Sequence, residues 1–205
     1  MPLSRRFFLM SACALPLIGC ASTYSTTFPE QLSAQVTRGW HVTLVQVDVP
    51  QSLTVSEAHT LIPKADIVWR EDPITGDRHQ QAAVIMHDAV AAGARSLRGP
   101  LAVVLQIRVT RFHALSFEAE IQLANAGVHN IQFDITAVEA RTGKVLAGPT
   151  HITADSPAWS GDKMLQLRAQ GVTQKSEITG HVAATVAAWL GSGPDNRGSF
   201  TRLGD

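Results

Sequence analysis

The chain has 205 residues, with 17 Lys and Arg balanced by 17 Asp and Glu, 45% hydrophobic residues and two cysteines. That length suits one domain of ordinary size built around a single core. Without residues 1–19, which hold two arginines and no acids, the balance is slightly negative; it argues against the clustered positive charge that nucleic-acid binding or a polybasic membrane patch requires, so no nucleic-acid partner is expected.

The first twenty residues read as a secretory signal. Arg5 and Arg6 form a short basic region, and Phe7 to Ile18 form an apolar run of about 12 residues, the length of a signal core. Such a run is too short to cross a bilayer, which takes roughly 20 apolar residues. Pro16 would also interrupt a spanning helix; a buried amino-terminal helix is the alternative reading, disfavoured because basic region, apolar run and small-residue cut site occur in the order of a signal. Leu17-Ile18-Gly19-Cys20 matches a lipobox, the site at which a bacterial prolipoprotein is lipidated on cysteine and cut just before it. Ser4 to Leu9 also resembles the twin-arginine export motif, although Met10 stands where a lysine is common. An ordinary signal that begins with two arginines is the other possibility. Cys13 leaves with the signal and Cys20 is consumed by lipid, so no thiol remains for a disulfide or a thiolate metal site. The expected location is the cell envelope, lipid-anchored and facing the periplasm. Ala21 after the cysteine, rather than Asp, favours the outer membrane over the inner.

Residues 20–37 are rich in Ser and Thr and are expected to form a flexible tether. A single domain is expected over 38–191. Trp40 to Val49 predicts a strand whose alternation changes phase at Leu44-Val45, which implies a bulge or burial on both faces. Leu53 to Pro63 predicts irregular chain or a short turn of helix, and Asp66 to Trp69 a short strand. Asp77, with Gln80 three residues later, predicts a capped helix start. Ala82, Ile85, Met86, Ala89, Gly93 and Leu97 then recur at helical spacing, which predicts a helix from Arg78 to about Leu97. Leu101 to Phe112 has the clearest two-residue alternation in the chain. Phe117 to Leu123 and His129 to Glu139 continue that pattern as strands, and Arg141 to Lys144 turns the chain into a hairpin partner that extends towards Thr153. Trp159 to Asp162 reads as a loop. Gln174 to Leu190 predicts a second amphipathic helix stopped by Gly191, and 192–205 a disordered tail. The expected fold is α+β: an antiparallel sheet of about five strands with two amphipathic helices packed on one face.

Several of these segments carry a resemblance. The lipobox at Cys20, the stretch from Asp66-Ile67-Val68-Trp69-Arg70 to Gly76-Asp77-Arg78, the strand ending Arg111-Phe112-His113, the Thr142-Gly143 hairpin and the closing Trp189-Leu190-Gly191 are similar to a family of Gram-negative envelope lipoproteins of unknown function. In element order the chain also resembles, more remotely, small α/β domains of secretion-channel and TolB-type envelope proteins. The resemblance implies location and fold; it implies no catalytic residue.

The motifs G-x-S-x-G, H-E-x-x-H and G-x-G-x-x-G do not occur in the sequence. Thr142-Gly143-Lys144 lacks the earlier glycine and the following Ser or Thr of a phosphate loop. His79 and His87 stand two turns apart on one helix, a rise of about 12 Å, too far to share an ion. His113 and His129 could meet only across paired strands. No cofactor, metal or catalytic residue is expected. The densest polar stretch gives the candidate binding patch: Asp66, Trp69, Arg70, Asp77, Arg78 and His79. Charge there gathers at a helix amino terminus, and an exposed Trp beside Arg suits a partner. The competing reading has Asp77 capping its helix, the arginines paired with nearby acids and Trp69 in the core. The expected function is a non-enzymatic envelope lipoprotein that attaches to the membrane through Cys20 and binds an envelope protein partner. The alternative is a transport-associated binding domain for a lipid or small anionic ligand, with a pocket near the start of the first helix.

Overall fold

The computed structural model describes residues 22–71, 73–124 and 126–202. The signal segment and Cys20 lie outside the described residues. The elements run β1 (Thr23–Thr27), α1 (Ala34–Thr37), β2 (Trp40–Asp48), β3 (Ile67–Val68), α2 (Arg78–Ala94), β4 (Leu101–His113), α3 (Phe117–Gln122), β5 (Gly127–Glu139), β6 (Val145–Ala154), β7 (Ser156–Ala158), α4 (Gly161–Ala169), α5 (Gln174–Trp189) and β8 (Gly198–Thr201).

The sheet order is β2-β4-β5-β6-β1-β8, with β3 also paired to β4 and β7 to β5. Among the described residues it has eight strands where about five were expected, and five helices where two were expected. It is mixed rather than wholly antiparallel. Both β2 and β3 run parallel to β4, and α2 supplies the crossover connection that a parallel pair needs. The remaining pairs are antiparallel. The phase change in β2 is a bulge: Val42 pairs with Val103 and Leu44 with Val104, which leaves Thr43 unpaired.

One sheet face is apolar because the alternation of β4 and β5 is in register. Val103, Leu105, Ile107 and Val109 lie beside Ala137, Ile135 and Phe133, all buried. Across the opposite face runs a row of charged and polar side chains on four strands. Asp48 pairs with Arg108, Arg108 stands opposite Asp134, and Asp134 receives a hydrogen bond from His151 at 2.8 Å. Helices α2 and α5 pack against each other and into the same core as the inner sheet face, through Ile85, Met86, Ala89 and Val90 on one and Ile178, Val182, Val186 and Trp189 on the other. Gly93 permits their approach: a Cβ there would stand 2.5 Å from the Ala183 carbonyl oxygen.

Four sequence expectations are corrected. Within the expected tether, Thr23–Thr27 is a strand: Thr26 pairs with Ala154 and Thr27 with Thr153, and Phe28 enters the core. Thr and Tyr favour strands, so a Ser/Thr-rich composition is no bar to one. Within the expected disordered tail, Gly198–Thr201 pairs with β1, and Phe200 stacks on Tyr24 at 5.8 Å. The segment from Phe117, expected as a strand, is α3, because the Ser116 hydroxyl accepts the N–H of Ala119 and starts a helix. The loop expected from Trp159 to Asp162 becomes helix α4 at Gly161.

Candidate functional site

The six residues of the predicted patch are brought together, but their polar groups are largely spent on one another and on neighbours. Asp66 accepts the N–H and hydroxyl of Thr54 at 2.8 and 2.7 Å, and the hydroxyl above all holds its carboxyl below the usual range. Trp69 is 1% exposed and meets Phe112 edge-on, so it belongs to the core. Arg70 pairs with Glu57, and Arg78 donates to the same carboxylate from Nε at 2.9 Å. The Arg78 hydrogen bond is the main reason the Glu57 carboxyl lies below its ordinary range. Arg78 is buried and also donates to Gln81 Oε1 at 2.8 Å and to the Ile74 carbonyl. Asp77 caps α2, accepting the N–H groups of His79 and Gln80 at 2.8 and 3.3 Å. His79 turns its Nε2 to the Leu53 carbonyl at 3.1 Å. A cavity of about 390 Å³ does lie at the start of α2, lined by Trp69, Gly76, Gln80 and Val84 among others, but neither Arg70 nor Arg78 lines it.

A larger groove of about 740 Å³ opens beside this network, between the loop before α2, helices α3 and α4, and the start of α5. Four large apolar side chains stand in its walls and still face solvent: Ile74 at 66% exposure, Phe117 at 49%, Ile121 at 63% and Leu165 at 65%. Phe117 and Ile121 are four residues apart on α3 and therefore share a face.

The floor of the groove is a fixed polar cluster. Arg168 of α4 donates from Nε to Glu120 at 2.6 Å and pairs with Glu71 at 2.8 Å. Glu71 in turn accepts the main-chain N–H groups of Gln174 and Lys175, at 2.8 and 2.9 Å, and so caps α5. Gln174 completes the circuit, donating from its side chain to Glu120 and accepting the N–H of Leu115. Burial opposes the Arg168 charge, but the hydrogen bond it donates to Glu120 and the charges of both glutamates outweigh it and raise its pKa. The cluster ties α3, α4 and α5 together, and with them the wall residues Phe117 and Ile121 on α3 and Leu165 on α4.

Sequence reasoning missed this groove. Phe117 and Ile121, expected in a strand, stand on helix α3; their helical spacing was the available signal. His113 stands opposite Asn130 across β4 and β5, so it and His129 project from opposite faces of the sheet. Among the described residues no group of three His, Cys, Asp or Glu is placed to hold a metal ion. No helix among them is long and apolar enough to cross a membrane.

Fold and site together define a two-layer α/β domain with an open, apolar-walled groove on a rigid polar floor. The chain belongs to the DUF6778 family, a family of unknown function whose model matches residues 40–205. No curated protein matches it. Among solved structures it is similar to the PelC dodecamer from Paraburkholderia phytofirmans, at 14% identity and a TM-score of 0.36, over 82% of this chain and 96% of that one. It is also similar to a candidate lipoprotein from Caulobacter crescentus CB15, at 16% identity and a TM-score of 0.33, over 54% of this chain and 84% of that one. The TolB-type likeness is not shown by these structures, and likenesses this remote carry no functional argument.

Proposed function

We propose that this chain is a lipid-anchored protein of the bacterial cell envelope, attached through Cys20 and facing the periplasm, and that its domain binds an envelope protein partner without catalysing a reaction. The groove carries the reading. Four large apolar side chains, each at least half exposed or close to it, ring one concave surface on a locked frame. Contiguous exposed apolar surface of this kind marks interaction sites, and it is costly to keep in water without one. The anchor rests on the lipobox and the signal-like segment before it. The arginines that an anionic ligand would need near α2 are both committed to Glu57, so the ligand-binding reading has no free guanidinium to use there.

The test places a photo-reactive p-benzoylphenylalanine at Ile121 in intact cells, with His151 on the far sheet face as the control position. A discrete protein adduct at Ile121, absent at His151 and lost in an Ile74→Ser/Leu165→Ser background, supports the reading. No protein adduct at Ile121 overturns it. Cys20→Ser should release the chain from the membrane fraction, and unchanged fractionation would remove the anchor from the proposal.

A further inference from the structure

β1 begins at Thr23, three residues after Cys20. Three residues span at most about 10 Å, so a lipid on Cys20 holds the near end of this sheet against the bilayer instead of on a long tether. What stands at that end is therefore under the membrane surface, and its chemistry is specific. Thr23 pairs with Thr201, and Arg202 follows directly. The Arg202 guanidinium lies 5.7 Å from the ring centre of Trp159, and the Lys163 ammonium lies 5.7 Å from the same ring. Arg202 is fixed in that position by donating to the carbonyls of Ala158 at 3.0 Å and Gly127 at 3.2 Å. One residue further along β1, Tyr24 stacks on Phe200.

We infer that this end of the domain is a lipid-headgroup surface: Trp159 lies at the interface, and Lys163 and Arg202 meet the phosphates of anionic lipids. The inference rests on the lipid anchor proposed above. Indole rings prefer the boundary between headgroup and acyl chain, and flanking Lys and Arg reach the phosphates beside them. Two cations are too few to attach a protein, in keeping with the balanced charge of the whole chain. With the acyl chains on Cys20 providing attachment, they need only orient the domain. Asp162, the acid next to Lys163 in sequence, lines the groove and sits in the first turn of α4, where the helix dipole offsets its charge. The outcome is a domain with a defined face down and a restricted range of directions in which the groove can meet a partner.

The tryptophans supply the assay. Of the four in the chain, Trp40, Trp69 and Trp189 are at most 3% exposed, whereas Trp159 is partly exposed. The full-length lipidated chain is reconstituted into vesicles of phosphatidylethanolamine and phosphatidylglycerol in which the lipids carry bromine on their acyl chains. The vesicles are floated to measure attachment, and tryptophan emission is read as quenching. The expected result is quenching that disappears in Trp159→Phe. Lys163→Gln should lower the ratio of docked to undocked domain about fivefold, and vesicles of neutral lipid alone, which forgo both cations, about 25-fold, while flotation is unchanged. Wild-type protein that floats with the vesicles yet shows no bromine quenching overturns the headgroup surface and leaves the anchor standing. Quenching that survives in Trp159→Phe overturns it too. Failure of the wild-type chain to float overturns the anchor, and the headgroup surface with it.

Discussion

Glu71 and Gln174 lie 103 residues apart in the chain and meet at 2.8 Å, the carboxylate of one accepting the main-chain N–H of the other. Glu71 thereby caps α5 from outside the helix while Arg168 neutralises it from α4. Replacing Glu71 by Ala removes a cap and leaves Arg168 with one of its two acids. Cap loss alone costs about 1 kcal/mol, and opening a buried charge cluster costs more. The expected loss is about 2–3 kcal/mol, discounted because Arg168 is partly exposed, and it should appear as a lower urea midpoint with an unchanged slope.

Gly93 makes a sharper test of packing. Alanine is the better helix former by about 1 kcal/mol, so on propensity alone Gly93→Ala in α2 should stabilise the protein. The structure reverses the sign. The new Cβ would stand 2.5 Å from the Ala183 carbonyl and 3.0 Å from Val186 Cβ, backbone and β-branched atoms that cannot swing away. Gly93→Ala should therefore destabilise the fold by about 1–3 kcal/mol through overpacking between α2 and α5, read from chemical denaturation. A higher midpoint would mean that the two helices are less closely held than described.

How much of this was legible beforehand divides by the range of the interactions. The Asp77 cap, the apolar stripe that begins at Ala82 and the alternation of β4 and β5 are set by neighbours within a few residues and appear where the sequence placed them, although α2 ends at Ala94, short of the expected Leu97. The β1–β8 pair joins chain segments from opposite ends of the domain, and nothing local to Thr23 or Phe200 announces a partner that distant. The candidate patch shows the same limit. Its concentration of charge was visible, but Glu57, which engages both Arg70 and Arg78, lies in the irregular stretch before β3. The groove was hidden for another reason: Ile74, Phe117, Ile121 and Leu165 are apolar residues on the outside, and sequence patterning assigns such residues to the core.

The pairing of the two chain ends makes a prediction of its own. Tyr24 and Phe200 stack at 5.8 Å on adjacent strands, and β1 makes only two further register pairs with β6. An aromatic pair of this kind contributes about 1 kcal/mol beyond its buried area. Phe200→Ala should thus speed hydrogen exchange of the β1 amides about fivefold while leaving the central amides of β4 and β5 at wild-type protection. Equal acceleration in all three strands would show that β1 and β8 unfold only with the whole domain.

The last prediction concerns pH. His181 on α5 lies 2.9 Å from the Thr26 hydroxyl, which itself donates to the Asp155 carbonyl, so the imidazole donates from Nε2. The groups facing it are Thr26 from β1, Asp155 from the junction of β6 and β7, and His129 from β5, with Glu177 of α5 beside His129 at 3.3 Å. Burial, reinforced by the charge of His129, lowers the His181 pKa. Burial lowers that of His113 as well, with the Pro63 carbonyl opposing and Arg111 assisting. In the unfolded chain both rings protonate near their ordinary value of about 6.5. Below it the unfolded state binds more protons than the folded one, so the contribution to stability is complete above about pH 6.5 and is lost as the pH falls towards the folded values. Asp155, whose pKa is raised chiefly by burial, works in the opposite sense at more acid pH, so the comparison is best made between proteins rather than between pH values alone. The urea midpoint of the wild type should fall between pH 7.5 and 5.5, and a His113→Gln/His181→Gln variant should lose distinctly less over the same interval. An identical fall in both would assign the acid sensitivity to other groups.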